Sequence, residues 1–93
     1  MKHAAVSESE SEGKQDWKKQ KEEQARERKR AAELKDVEER ISSLEQRDSA
    51  IDAELSKEEV YTDIQQVTAL SGEKAQIAEE LEELYERWSE LEG

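Results

Sequence analysis

The sequence has no cysteine, no proline and no phenylalanine, and only three glycines and one histidine. Without cysteine there is no disulfide to staple a small fold and no thiolate to hold a metal. With His3 as the single histidine, neither a zinc site nor a nucleophile–base pair can be assembled. Two tryptophans and two tyrosines are the whole aromatic complement, and hydrophobic residues make up 32% of the 93 residues. That is too little apolar surface to offset the chain entropy of a compact globule. Uninterrupted apolar stretches reach only two or three residues, far short of a membrane span or the core of a signal peptide. A soluble cytoplasmic protein is the expectation.

Charge is what fills the space: 44% of residues are Asp, Glu, Lys or Arg, and the formal net charge is −11. Glu, Lys, Ala, Leu, Arg and Gln dominate, the composition of a long helix or coiled coil. The charge is unevenly placed. Residues 14–30 hold eight bases against four acids, whereas residues 31–93 hold six bases against nineteen acids. Acidic runs such as "EELEELYE" lack the carboxylate spacing and glycine of a calcium loop, and read as solvated helix faces.

Residues 1–15, with "SESESEG", read as a disordered, flexible leader. From about Asp16 a helical pattern begins. Apolar residues at Leu34, Val37, Ile41, Leu44, Ile51 and Leu55 define a heptad whose one polar core position is Asp48. The pattern breaks at "SKEEVYTDIQQV", where Thr62 or Asp63 is a candidate N-cap and Thr62 with Gln65 has capping-box spacing. A second heptad runs through Val67, Leu70, Lys74, Ile77, Leu81, Leu84, Trp88 and Leu91.

Two such helices joined by a short link fold back on each other. The expected fold is all-α: an antiparallel two-helix coiled-coil hairpin over 16–93. Helix 1 is expected over about 16–57, a loop over about 58–62 and helix 2 over about 63–92. One register faces every core position with another: Leu55 with Leu70, Ile51 with Lys74, Asp48 with Ile77, Leu44 with Leu81, Ile41 with Leu84, Val37 with Trp88, and Leu34 with Leu91. Val60 and Tyr61 then close the turn end, and Trp88→Ala is expected to be the costliest truncation. Asp48 and Lys74 fall in neighbouring layers. They either pair and fix the register, or each leans out to the wet edge of the seam.

In this register residues 16–33 have no partner on helix 2, and their seam positions hold Gln20, Glu23, Glu27 and Arg30. The stretch "DWKKQKEEQARERKR" is therefore expected to be a basic overhang. It has three readings. A solvated helix face with i,i+4 pairs is one. A membrane-surface helix is a second, but the required apolar face is missing. Contact with a phosphate backbone is the third, through Lys14, Lys18, Lys19, Lys21, Arg26, Arg28, Lys29 and Arg30, with Trp17 stacking on a base or wedging into a groove. The last is preferred. No catalytic residue is identified. "LSGEK" (Leu70 to Lys74) is a decoy for the LSGGQ signature of ATP-binding cassettes, since Glu73 replaces the second glycine and no GxxxxGK[ST] loop accompanies it.

"VYTDIQQVTALSGEKAQIAEELEELYERWSELEG" resembles the close of the C-terminal coiled-coil domain of ABC-F ATPases. Val60, Tyr61 and Asp63 match that family's loop, and Leu81 to Leu91 match its helix end. "DWKKQKEEQARERKR" is similar to its aromatic-led basic segment and "LKDVEERISSLE" to its first helix. The resemblance covers about residues 16–92, with Ile64 standing where proline is common. It implies a non-catalytic domain cut from a cytoplasmic parent that carries two ATP-binding cassettes and acts on ribosomes in translation or antibiotic resistance. ATP and magnesium would belong to those cassettes, and this fragment needs no cofactor. The implied partner is ribosomal RNA or DNA. The rival reading is a structural or protein-interaction coiled coil docking on the parent's ATPase domains or another protein. A monomeric hairpin without membrane contact is expected in either case.

Overall fold

A computed structural model describes the backbone from Lys2 and the side chains from Asp16. The leader expected over residues 1–15 therefore lies outside the described side chains, as does the side chain of Lys14. The described residues are all-α: α1 (Lys2–Leu55), α2 (Glu58–Tyr61) and α3 (Ile64–Glu92). The chain divides into two units, residues 1–32 and 33–93.

In the second unit, α3 runs antiparallel to the part of α1 that follows Ala32. Val37 and Ile41 pack with Leu91, flanked by Leu34, Leu81 and Leu84. Leu44 and Ile51 pack with Ile77, flanked by Leu55, Leu70, Leu81 and Leu84. Leu81 and Leu84 belong to both groups, so the apolar seam is continuous. Ile51 is its one fully enclosed side chain, with no exposed surface. Val67 is half-buried at the start of the seam. Beside Ile51, Lys74 Nζ lies 2.8 Å from Asp48 Oδ1 and 2.8 Å from Asp52 Oδ1. Of the two alternatives open at this point of the seam, the pair forms, with Asp52 as a second acceptor.

The link is more structured than the loop expected over 58–62. α1 ends at Leu55, where Ser56 Oγ donates to the Ala53 carbonyl (2.7 Å) and competes with the helical pattern. Lys57 is extended, and Glu58 and Glu59 then open a one-turn helix whose N-terminal dipole end favours carboxylates. Val60 is buried at the turn end, but Tyr61, expected beside it, is 57% exposed. Successive residues of a helix point about 100° apart, so one turn cannot send both inward. The two capping candidates divide the work. Thr62 Oγ1 donates to the Glu58 carbonyl (2.6 Å) and ends α2. Asp63 is the N-cap of α3, accepting from the backbone N–H groups of Gln65 (3.1 Å) and Gln66 (3.4 Å).

Trp88 departs most from expectation. It is 36% exposed and absent from both packed groups, and Leu91 fills the space over Val37 and Ile41. The cause is its polar handle: an indole N–H needs an acceptor, and Glu38 Oε1 supplies one at 3.2 Å on the edge of the seam. The decoy "LSGEK" lies inside α3, away from any helix N-terminus, and both of its charges are committed to α1.

Truncation costs therefore reorder. Ile51→Ala should destabilise by about 2–5 kcal/mol and by more than Trp88→Ala; equal or reversed costs in denaturant melts would contradict the packing described. Gly72 lies inside α3, where an added Cβ meets nothing within 4 Å. Gly72→Ala should raise stability by up to about 1 kcal/mol, read as a shift of the urea midpoint at constant slope.

Candidate nucleic-acid interface

From Asp16 to Ala32 every residue of the first unit is exposed. At 100° per residue, Lys18, Lys21, Arg28 and Lys29 fall on one side of α1 with Ala25, and Lys19 and Arg26 extend that side. Asp16, Glu23 and Glu27 gather on the opposite side with Gln20, while Glu22 falls within the basic side. The unit thus carries a basic face and a narrower acidic one. Arg30 stands at their border and binds Glu27 (3.2 Å). Among the described residues, no ion pair engages Lys18, Lys19, Lys21, Arg26, Arg28 or Lys29. Trp17 is 63% exposed at the margin of the basic face, with the Lys21 ammonium 4.8 Å from its ring centroid.

The bases of the second unit are used differently. Arg87 binds Glu33 (2.7 Å), Arg40 binds Glu80 (2.8 Å), and Arg47 binds Glu73 through two hydrogen bonds, one of 2.9 Å. Both sets of partners step by seven residues, so the three pairs form a ladder along one edge of the seam. Sliding α3 by one heptad would bring Glu33 opposite Glu80, or Arg40 opposite Arg87, depending on direction. Like charges then meet, and the ladder selects the observed register. Each exposed pair adds little stability alone. Lys57 binds Glu54 (2.8 Å) and Lys74 its two aspartates. Five of the six bases in this unit are therefore spoken for.

The opposite edge has no such ladder. Its carboxylates meet aromatic donors: Tyr85 Oη donates to Glu45 Oε2 (2.8 Å) and Trp88 Nε1 to Glu38 Oε1. Tyr85 is 46% exposed. The Glu45 hydrogen bond, with burial and the carboxylate charge, pushes the Tyr85 phenol above its ordinary range. Sequence reasoning missed both edges. The seven-residue spacing of Glu33, Arg40 and Arg47 against Glu73, Glu80 and Arg87 carries the signal for the ladder.

Among the described residues, no group of three or more His, Cys, Asp or Glu is placed to hold a metal ion. No described helix is long and apolar enough to cross a membrane. Taken with the antiparallel hairpin, the basic segment and the "LYERW" helix end, the family relationship is direct: residues 14–93 match the model of the ABC transporter C-terminal domain. The chain belongs to that family. No curated protein and no solved structure matches it.

Two carboxyls tie this arrangement to pH. The Asp63 carboxyl is held below the usual range, chiefly by the Gln66 side-chain amide and then by the Gln66 and Gln65 backbone N–H groups. That of Glu73 is lowered by its hydrogen bond to Arg47. A folded-state pKa below the unfolded value stabilises above the ordinary carboxylate range, and that contribution fades as pH falls through the lowered value. The melting temperature should therefore drop below about pH 4, and Asp63→Asn combined with Glu73→Gln should flatten that acid limb. An unchanged limb would mean that neither group reports folding.

Proposed function

We propose that this domain binds the phosphate backbone of nucleic acid through the basic face spanning residues 14–30. In doing so it attaches or orients an ABC-F type ATP-binding-cassette ATPase on ribosomal RNA or DNA in the cytoplasm. The observation that carries the reading is the contrast in how cations are used. Five of the six bases of the second unit are neutralised within the fold, Lys35 being the exception, whereas six in the first unit have no ion-pair partner among the described residues. Clustered Lys and Arg on one helix face need no further shape to replace the counterions of a phosphate chain. In this reading the domain's part is binding, as for an accessory domain of an ATPase. ATP hydrolysis would belong to the cassettes of the parent protein.

Phosphate neutralisation predicts steep salt dependence. Affinity for a duplex or stem-loop should fall as a power of salt concentration, with the logarithmic slope growing by roughly 0.9 per duplex phosphate contacted. Replacing Lys18, Lys19, Lys21, Arg28 and Lys29 together by Gln should abolish binding, while circular dichroism remains helical. A second reading, docking of a protein such as the parent's ATPase domains, is favoured by the edge bearing Tyr85 and Trp88, which has exposed aromatics and carboxylates in place of an ion-pair ladder. Nucleic-acid binding that survives both high salt and the five Gln substitutions would remove the phosphate reading.

A further inference from the structure

Trp17 is out of place in a segment that otherwise presents charge. It is the one aromatic side chain among the described residues of the first unit, it is 63% exposed, and the groove beside it is lined by Lys18, Lys21, Glu22 and Ala25. Two shallow surface grooves meet at it. Both include Trp17 and Lys21; one continues past Gln20, Gln24 and Arg28, the other past Lys18, Glu22 and Ala25. Trp17, Lys21 and Arg28 lie at i, i+4 and i+11, which places them along one line of the helix. Their Cα positions are separated along the axis by about 6 Å and a further 10 Å or so. The Lys21 ammonium sits over the indole ring at 4.8 Å from its centroid, and the residue remains 63% exposed.

Resting on the phosphate-binding reading, we infer that Trp17 is a stacking platform for an unpaired base, so that the site's ligand is single-stranded or looped nucleic acid in preference to continuous duplex. A strand laid along the line from Trp17 to Arg28 would set a base on the exposed indole and bring its backbone to Lys21 and Arg28. Base–aromatic stacking is indifferent to base identity, because every base presents a π face, but it requires a base free of its own stack. The competing use of an exposed ring is as a wedge that kinks a duplex from the minor groove. That use relies on apolar wedges backed by protein surface that wraps the bent DNA, and Trp17 has charged neighbours and one alanine.

The test uses the whole chain and three labelled probes: a 12-nucleotide single strand, the same length of abasic sugar–phosphate backbone, and the 12-base-pair duplex. Anisotropy titrations at one fixed salt concentration should show the abasic strand bound about tenfold more weakly than the normal one. Trp17→Ala should bring the normal strand down to the abasic level while leaving abasic binding unchanged, and Trp17→Tyr should restore part of the difference. In a ¹⁵N-labelled chain, the indole resonance of Trp17 should shift with the normal strand and stay in place with the abasic one. Equal affinity for normal and abasic strands would overturn the inference and leave phosphate binding intact. Duplex affinity equal to that of the single strand, with the same loss on Trp17→Ala, would overturn it in favour of the wedge. Absence of binding to all three probes would remove the phosphate reading itself, and the inference with it.

Discussion

Burial of Ile51 between Leu44, Ile77 and their neighbours is the contact from which the arrangement of the second unit follows. A chain with so few apolar residues can enclose only a narrow stripe, and a stripe on two helices is satisfied in few registers. Once the stripe is matched, Glu33, Arg40 and Arg47 must lie opposite Arg87, Glu80 and Glu73. The ladder contributes less to stability than to choice, since the neighbouring registers set like charges against each other. Lys74, reaching Asp48 and Asp52 beside Ile51, repeats that logic within the seam. Those hydrogen bonds hold its ammonium pKa above the ordinary lysine range.

This use of charge bears directly on function. An acidic body disfavours phosphate over most of its surface, and five of its six cations are already paired to carboxylates. The same residue types in the first unit face solvent on one side of a helix, with three of the four acids between residues 16 and 30 collected on the other. A net charge of −11 therefore coexists with a locally basic helix face, because position along the chain and around the helix decides what a charge meets.

The start of α3 is built without proline. Proline at the first helical position pre-sets the backbone and lacks an N–H that would go unpaired there. Ile64 supplies neither advantage and is 80% exposed. Asp63 compensates by accepting from two backbone N–H groups and from the Gln66 side-chain amide (2.9 Å). Thr62 closes the preceding turn, so the reversal is made without proline or glycine.

Heptad spacing in the sequence alone was sufficient to state the helical class, the antiparallel pairing and the apolar positions of the seam, because burial of a stripe depends mainly on where the Leu, Ile and Val residues fall. Uneven charge likewise marked residues 14–30 without reference to any contact. Other features needed the tertiary structure. Whether Lys74 meets Asp48 or leans into water, whether Tyr61 turns in beside Val60, and whether Trp88 fills the seam or donates to Glu38 all depend on partners brought from another helix. Amphipathic side chains have both an inner and an outer solution in the sequence. Which one is adopted is decided only when the opposing helix supplies, or fails to supply, the space and the hydrogen-bond acceptor.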